Sequence, residues 1–453
     1  MRLRLLLPGV MFLALLVACA AASPKNPMST PSQAAQRDAS VSAKCVACHT
    51  RVTPGVVADW KASKHAGVGV GCDTCHGSAH MTATDASKAK IPTLDTCAPC
   101  HQAQVEQFEK GKHALAWKAM KAMPTFHYQP LALTEGMKGC GSCHQIGLKS
   151  PAEIAELRKE GNNFGIASCD ACHTRHTFSV KEASQPQACE TCHMGFDHPQ
   201  WEMYEGSKMG VRYRMKQLGI LPASSAAPTC QTCHMQNGNH DVSTAWGFLG
   251  VRLPLPPQDK QWNADQTTIL TALGVLDPDG KPTPRLAVVK AADVARLTQA
   301  DWQQERDKML KTCEQCHSAD FSREQLELSD NMIRQSDHLM AEAINIVAGL
   351  YRDGILKKPA NYSYAYPDIL TFHNAPTAIE QKLFVMMMEH RMRTFQGSFH
   401  SNPDYATWYG WSAMERDLTE IKEMAAQMRL NARVAAAFAT QKGPANQAHQ
   451  TDK

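Results

Sequence analysis

One pentapeptide, Cys-x-x-Cys-His, occurs eight times in this 453-residue chain. The copies are Cys45-Val-Ala-Cys48-His49, Cys72-Asp-Thr-Cys75-His76, Cys97-Ala-Pro-Cys100-His101 and Cys140-Gly-Ser-Cys143-His144. They continue with Cys169-Asp-Ala-Cys172-His173, Cys189-Glu-Thr-Cys192-His193, Cys230-Gln-Thr-Cys233-His234 and Cys313-Glu-Gln-Cys316-His317. Together they use every cysteine except Cys19. Two thiols three residues apart can form thioethers to both vinyl positions of one porphyrin, and the adjacent His then comes under the iron, so the motif is the attachment site of c-type haem. A disulfide framework needs no His after each pair and usually serves much shorter chains. Zinc sites need two more ligands per metal at recurring offsets. Neither accounts for a His after every second Cys, so eight covalently bound c-type haems are expected.

Sites packed this densely leave little room for an ordinary apolar core. The expected fold is mainly α, with very little β: a multihaem cytochrome c head wrapped around eight haems, followed by a long-helix C-terminal region. Alternating strand patterns are almost absent, whereas residues 322–350, 376–396 and 411–432 carry apolar residues at helical spacing. The interval 235–312 holds a Pro-rich passage, Leu253-Pro-Leu-Pro-Pro257, and a loop signal at Pro278-Asp-Gly280.

The first residues read as an export signal. Arg2 and Arg4 precede an apolar run from Leu5 to Val17 that is short for a membrane-spanning helix. Leu16-Val17-Ala18-Cys19 resembles a lipobox, which would make Cys19 a lipid anchor; cleavage in the Ala-rich stretch that follows is the alternative. The expected division is a lipoprotein-type signal at 1–18, a flexible tether at 19–42 rich in Ala, Ser, Pro and Gln, an octahaem domain at 43–320, a helical region at 321–432 and a polar, frayed tail at 433–453. An exported protein, periplasmic or associated with the outer membrane, touching the membrane only through its lipid, is the expectation. The formal charge of +4 turns negative once the signal is lost and haem propionates are added. Nucleic acid is not an expected partner, and a basic surface on a redox protein is.

Twelve His lie outside the motifs. Trp60-Lys-Ala-Ser-Lys-His65 and Phe108-Glu-Lys-Gly-Lys-His113 share a pattern of an aromatic, then a basic residue and His. Tyr204-Glu-Gly-Ser-Lys-Met209 repeats it with Met. The expected distal ligands are His65, His80, His113, His176, His240, His390 and His400, each close after a motif or in a helix-like run. Met209 fits either a distal ligand or an ordinary core methionine. A pure electron carrier would cap every iron, and an enzyme would leave one open; a count of His does not separate them.

Longer stretches resemble the octahaem hydroxylamine oxidoreductase family. They are Cys169-Asp-Ala-Cys172-His173-Thr-Arg-His176-Thr-Phe-Ser, Cys189-Glu-Thr-Cys192-His193-Met-Gly-Phe-Asp197-His198-Pro199 and Cys230-Gln-Thr-Cys233-His234-Met. Gly238-Asn-His240, Thr244-Ala-Trp-Gly-Phe, Glu389-His390-Arg-Met, Gly397-Ser-Phe-His400 and Asn402-Pro-Asp-Tyr405 through Trp411 add to them. The resemblance implies a mostly helical homotrimer with seven six-coordinate haems. It makes the fourth haem, on Cys140, Cys143 and His144, the catalytic one. Asp197 and His198 match the family's Asp-His pair over the open iron, where an imidazole can move protons and a carboxylate can tune it. Read from the residues alone, Asp197-His198-Pro199 is equally a turn carrying a distal ligand. The implied substrate is a small nitrogen compound, and the implied partner a redox cytochrome or a membrane quinone-linked cytochrome. Family members that oxidise hydroxylamine or hydrazine carry a Tyr from a neighbouring subunit bound covalently to the catalytic haem, and members without it are associated with nitrite reduction. Tyr362, Tyr364, Tyr366, Tyr405 and Tyr409 lie in the region where that Tyr would fall, as does Phe395, which has no hydroxyl. A non-enzymatic conduit with all irons capped is the competing reading.

Overall fold

Cys at i and i+3 and His at i+4 fall on one face of a helix, and the motifs use this. Three of them are five-residue helices of their own, Cys72–His76, Cys140–His144 and Cys230–His234. The first and third are embedded in the longer helices Ala39–Val52 and Leu94–Lys110, and the eighth begins at the end of Gln299–Cys313. The ends of the short helices are set locally. Thr229 and Thr232 exchange side-chain and backbone hydrogen bonds at the start of Cys230–His234. Gly77, at φ +70°, ends Cys72–His76 with a backbone conformation that glycine adopts without strain.

The computed structural model describes residues 39–122, 139–159, 161, 168–196, 198–247, 249–251, 258–292, 295 and 298–441. The signal, Cys19, most of the tether, the Pro-rich passage 253–257, His127, Asp197 and His449 lie outside the described residues. Among the described residues no helix is long and apolar enough to cross a membrane. The β structure among them is one isolated bridge, Leu276 to Pro282, which closes the turn through Asp277 and Gly280.

Two kinds of interior follow from two kinds of sequence. In the head, apolar clusters are small: Leu94, Val105, Phe108 and Ala114 form one, and Trp117, Met120 and Leu157 another. The C-terminal region has an ordinary core. Helix Ala319–Arg352 is 34 residues long, about 51 Å at 1.5 Å per residue. It packs on Lys260–Ala272, on Met392–Phe399 and on Ser412–Gln441. Ile269, Leu273, Met340, Ile344, Val347, Leu383, Met414 and Ile421 fill the space between them.

Three expected boundaries shift. Leu249, Val251, Ile269, Leu273, Val289 and Ala295, between the seventh and eighth motifs, belong to this core, so position 320 does not divide it. The last helix runs on to Gln441, through residues expected to fray, because Ala and Arg at 432–437 are strong helix formers. At the other end, the first helix starts at Ala39, inside the expected tether.

Two π-helical segments, Met386–Arg391 and Tyr405–Trp411, lie side by side in this region. Gly410 lets the second of them lie close on helix Met392–Phe399: a Cβ there would stand 2.6 Å from the Thr394 backbone nitrogen.

Candidate haem-binding and catalytic site

A single continuous cavity of about 4850 Å³ runs through the head, several times the roughly 300–1,000 Å³ of a small-molecule pocket. All eight motif His line it, and so do His65, His80, His113, His176, His198, His240 and His400. The imidazoles face one another across it in pairs. Ring centres are 6.0 Å apart for His49–His80, 6.2 Å for His76–His176, 6.1 Å for His101–His65 and 6.3 Å for His144–His198. They are 6.2 Å apart for His173–His240, 6.0 Å for His193–His113 and 6.4 Å for His234–His400.

Over the same seven pairs the angle between ring planes runs from 25° to 76°. In the six pairs other than His144–His198, a fixed distance with a free rotation is what two imidazoles held by one metal would give. Two metal–nitrogen bonds of about 2 Å, with each ring centre roughly 1 Å behind its nitrogen, span about the observed gap. The other ring nitrogen is held in several cases, which leaves Nε2 for the iron. His49 Nδ1 meets Thr53 Oγ1 at 2.8 Å, His76 Nδ1 the Lys90 carbonyl at 3.0 Å, His80 Nδ1 Asp85 Oδ1 at 2.9 Å and His400 Nδ1 the Gln396 carbonyl at 2.7 Å. Burial pushes His193 down to about 3 and His234 to about 4, which keeps them in the neutral form that ligates. The sixteen motif cysteines are all free thiols. These residues fit c-type haem.

The thiols also give the order in which the sites adjoin. Cys72 lies within electrostatic reach of Cys45, Cys75 of Cys97 and Cys100, Cys172 of Cys189, and Cys233 of Cys313 and Cys316. Cys97 is hydrogen-bonded to Cys169, and Cys189 to Cys230. The motifs therefore form a line running first, second, third, fifth, sixth, seventh, eighth. The fourth stands to the side: Cys143 meets Cys192 and donates to the Thr191 carbonyl, both in the sixth motif.

At this side branch His144 Nδ1 donates to the Ala116 carbonyl at 2.9 Å. The segment is braced from behind. Gly147 lies against Trp117, where a Cβ would come within 2.1 Å of the backbone nitrogen. Glu153 accepts hydrogen bonds from Trp117 Nε1 (3.1 Å), Lys121 Nζ (3.1 Å), the Ser150 N–H (2.8 Å) and Ser150 Oγ (2.9 Å). Burial pushes the Glu153 carboxyl up, but the Ser150, Lys121 and Trp117 donors outweigh it and bring it from 4.5 to about 2. A carboxyl lowered by folding stabilises the fold above its ordinary value, and that contribution is lost as pH falls from about 4.5 toward 2. Glu153→Gln is expected to lower the thermal midpoint at neutral pH and to converge with the wild type in acid. A gap that stays constant between roughly pH 6 and pH 3 would refute this assignment.

His198 differs from the other facing imidazoles. It stands 6.3 Å from His144 and 6.4 Å from His193, while His193 already faces His113. One imidazole thus sits between the fourth and sixth motifs.

His390 does not reach the cavity: it is buried and hydrogen-bonded to Asp417 through Nδ1, because the π-helical segment that carries it turns it toward the last helix. His338 pairs with Asp265. Met209 lines the cavity. It begins a helix after Ser207, whose Oγ accepts from Gly210 N–H and donates to the Tyr204 carbonyl, the same cap that Ser63 builds between Trp60 and Ala66 just before His65. Tyr366 packs against both Tyr351 and Tyr362, and Tyr364 lies under Arg285. Tyr405 and Tyr409 stack on each other. His317 stacks on Phe321, and among the described residues no second imidazole faces it. Sequence reasoning passed over Gln200, whose Oε1 meets His193 Nδ1 at 3.2 Å; its place seven residues after that His was the available signal.

The model of a multihaem cytochrome family, described as seven times multi-haem cytochrome CxxCH, matches residues 68–251 and 283–361, more than half of the chain. The chain belongs to the multihaem cytochrome family. A second model, cytochrome c554 and c-prime, matches residues 18–77. This multihaem cytochrome is 26% identical over 480 aligned positions to a probable nitrite reductase-hydroxylamine oxidoreductase fusion protein of Kuenenia stuttgartiensis, covering 85% of this chain and 51% of that one. It thus spans about half the length of that relative. Its fold matches a chain of the Kuenenia stuttgartiensis reducing HAO-like (hydroxylamine oxidoreductase-like) protein complex, with a TM-score of 0.62 and 23% identity over 88% of this chain and 87% of the other. A structure named hypothetical multiheme protein matches equally well, with a TM-score of 0.62 and 19% identity over 90% of this chain and all of that one. The expected mainly helical multihaem fold and the likeness to hydroxylamine oxidoreductase-like cytochromes therefore stand.

Proposed function

We propose that this cytochrome is an exported oxidoreductase of small nitrogen compounds that works reductively on nitrite or hydroxylamine at its fourth haem site. The observation that carries the reading is the branch: the motif of Cys140, Cys143 and His144 lies off the line of the other seven, with His198 facing it. A haem there would supply an iron at which a nitrogen oxide is held and electrons are exchanged. Cys140 and Cys143 would anchor that haem, and His144, oriented by the Ala116 carbonyl, would ligate its iron. His198 gives protons to the substrate, and Asp197, outside the described residues, is its neighbour in sequence. The seven sites of the line bring electrons. The reductive direction is supported by the names of the relatives, one a probable nitrite reductase fusion and one a reducing HAO-like complex. The lipobox-like Cys19 and the signal before it support export with a lipid anchor, a redox cytochrome as partner completes the reading, and a homotrimer remains part of it.

Two measurements test this. The reduced holoprotein is expected to bind NO or CO at one iron and to consume nitrite or hydroxylamine with a reduced dye as donor. Failure to bind either gas at any iron leaves the pure conduit. On a haem-stained denaturing gel the protein is expected to run as a haem-bearing monomer; a trimer that survives denaturation would instead establish a Tyr–haem bond between subunits and reverse the direction.

A further inference from the structure

His80 does not serve the motif it follows. Gly77, at φ +70°, turns the chain just after the second motif. The ring of His80 then stands 6.0 Å from that of His49, in the first motif. Its Nδ1 meets Asp85 Oδ1 at 2.9 Å. The same carboxylate oxygen accepts from the Met81 N–H at 3.0 Å and from the Thr82 N–H at 2.9 Å. Three donors on one oxygen fix the carboxylate against the ring. The Asp85 side chain is 18% exposed, so its charge is screened less than that of a surface group.

The Nδ1 partners described for other facing imidazoles are neutral. They are the Thr53 hydroxyl for His49, the amide oxygen of Gln200 for His193, and the carbonyls of Lys90, Ala116 and Gln396 for His76, His144 and His400. His338 and His390 also meet carboxylates, but neither lines the cavity. The first motif stands at one end of the line. Its helix Ala39–Val52 packs on the second motif, Cys72–His76, where Ser42 donates to Asp73.

A carboxylate on Nδ1–H makes an imidazole a stronger donor to a metal on its other nitrogen. Ferric iron carries one more positive charge than ferrous iron. The stronger donor and the nearby negative charge therefore both favour the ferric form, and the potential falls.

We propose that Asp85 is a tuning residue that acts through His80 and makes the first haem the lowest-potential site of the line, and so its point of electron entry. A reduced partner gives electrons to that haem one at a time, and each passes on toward sites of higher potential. The direction of flow rests on the reductive reading above; the low potential does not.

The test is a spectroelectrochemical titration of the holoprotein without substrate, followed by haem absorbance and electron paramagnetic resonance. It compares the wild type with Asp85→Asn and Asp85→Glu. Asp85→Asn keeps an oxygen for the Met81 and Thr82 N–H groups and removes the charge. One component, the lowest in the wild type, is expected to shift about tenfold toward the ferrous form, which is about 59 mV for a one-electron couple. The resonance signal of the same haem should change with it. Asp85→Glu keeps the charge and should titrate like the wild type. Haem content and the other components should be unchanged in both. A titration of Asp85→Asn that superimposes on the wild type would overturn the proposal, as would a shift in any component but the lowest. Equal shifts in the two variants would overturn it too, since a residue that only shapes the turn behaves that way. A wild type that consumes neither nitrite nor hydroxylamine would strike the direction of flow alone, because the titration contains no substrate.

Discussion

His198→Ala is expected to lower kcat for nitrite or hydroxylamine by about two to three orders of magnitude, within the range for losing a general acid, while all covalent haem is retained. His198 lies between His144 and His193 at nearly equal distances, and His193 has its own facing partner in His113. It is the imidazole available to the fourth site without being required by the line. Steady-state rates and electron paramagnetic resonance on the same sample check this. A variant that turns over like the wild type removes His198 from the chemistry. A variant that gains a high-spin iron and faster ligand binding shows that His198 was capping the iron, and the catalytic site must then be sought elsewhere.

The second large effect is on stability. Arg391 and Asp337 are both fully buried. Arg391 Nε donates to Asp337 Oδ1 at 2.8 Å, and its terminal nitrogens donate to the carbonyls of Leu249 (2.6 Å) and Gly250 (2.9 Å). Trp262 Nε1 donates to Asp337 Oδ2 at 2.8 Å, and Gln266 donates to the same oxygen. Burial pushes the Asp337 carboxyl up, against Arg391 and these donors. The network joins the long helix Ala319–Arg352 to Met386–Arg391 and to the chain just after the seventh motif. Asp337→Ala strands a guanidinium in an apolar interior, and about 3–5 kcal/mol of destabilisation is expected. Asp337→Leu combined with Arg391→Met should recover most of it, since replacing a buried pair with apolar groups is often neutral. Denaturant midpoints followed by circular dichroism compare the three proteins. A single variant within about 1 kcal/mol of wild type would mean that water reaches Arg391.

The motifs themselves could be read without a structure, since spacing alone places two thiols and an imidazole on one helical face. Distal candidates close after a motif or in the aromatic–basic–His repeat, His65, His80, His113, His176 and His240, face a motif His across the cavity, and so does His400 from a helix-like run. His390 did not, and the reason is local. Its environment was inferred from helical periodicity, and the π-helical insertion at 386–391 changes the register by which a sequence is mapped onto a helix face. The core shared by residues 249–295 and the C-terminal helices was hidden because it joins segments separated by a whole haem motif.

The branch has a consequence for how this molecule can be wired. A substrate site in series with its carriers would interrupt conduction whenever it was occupied or damaged. If the fourth motif holds the substrate, as proposed, it lies off the line of the other seven, so current could pass from the first motif to the eighth while it is blocked. The seven-site line can then act as a reservoir, filled one electron at a time from outside and discharged in a burst when substrate arrives. Loss of the branch would leave a working cable, which makes enzyme and conduit neighbouring outcomes of one architecture.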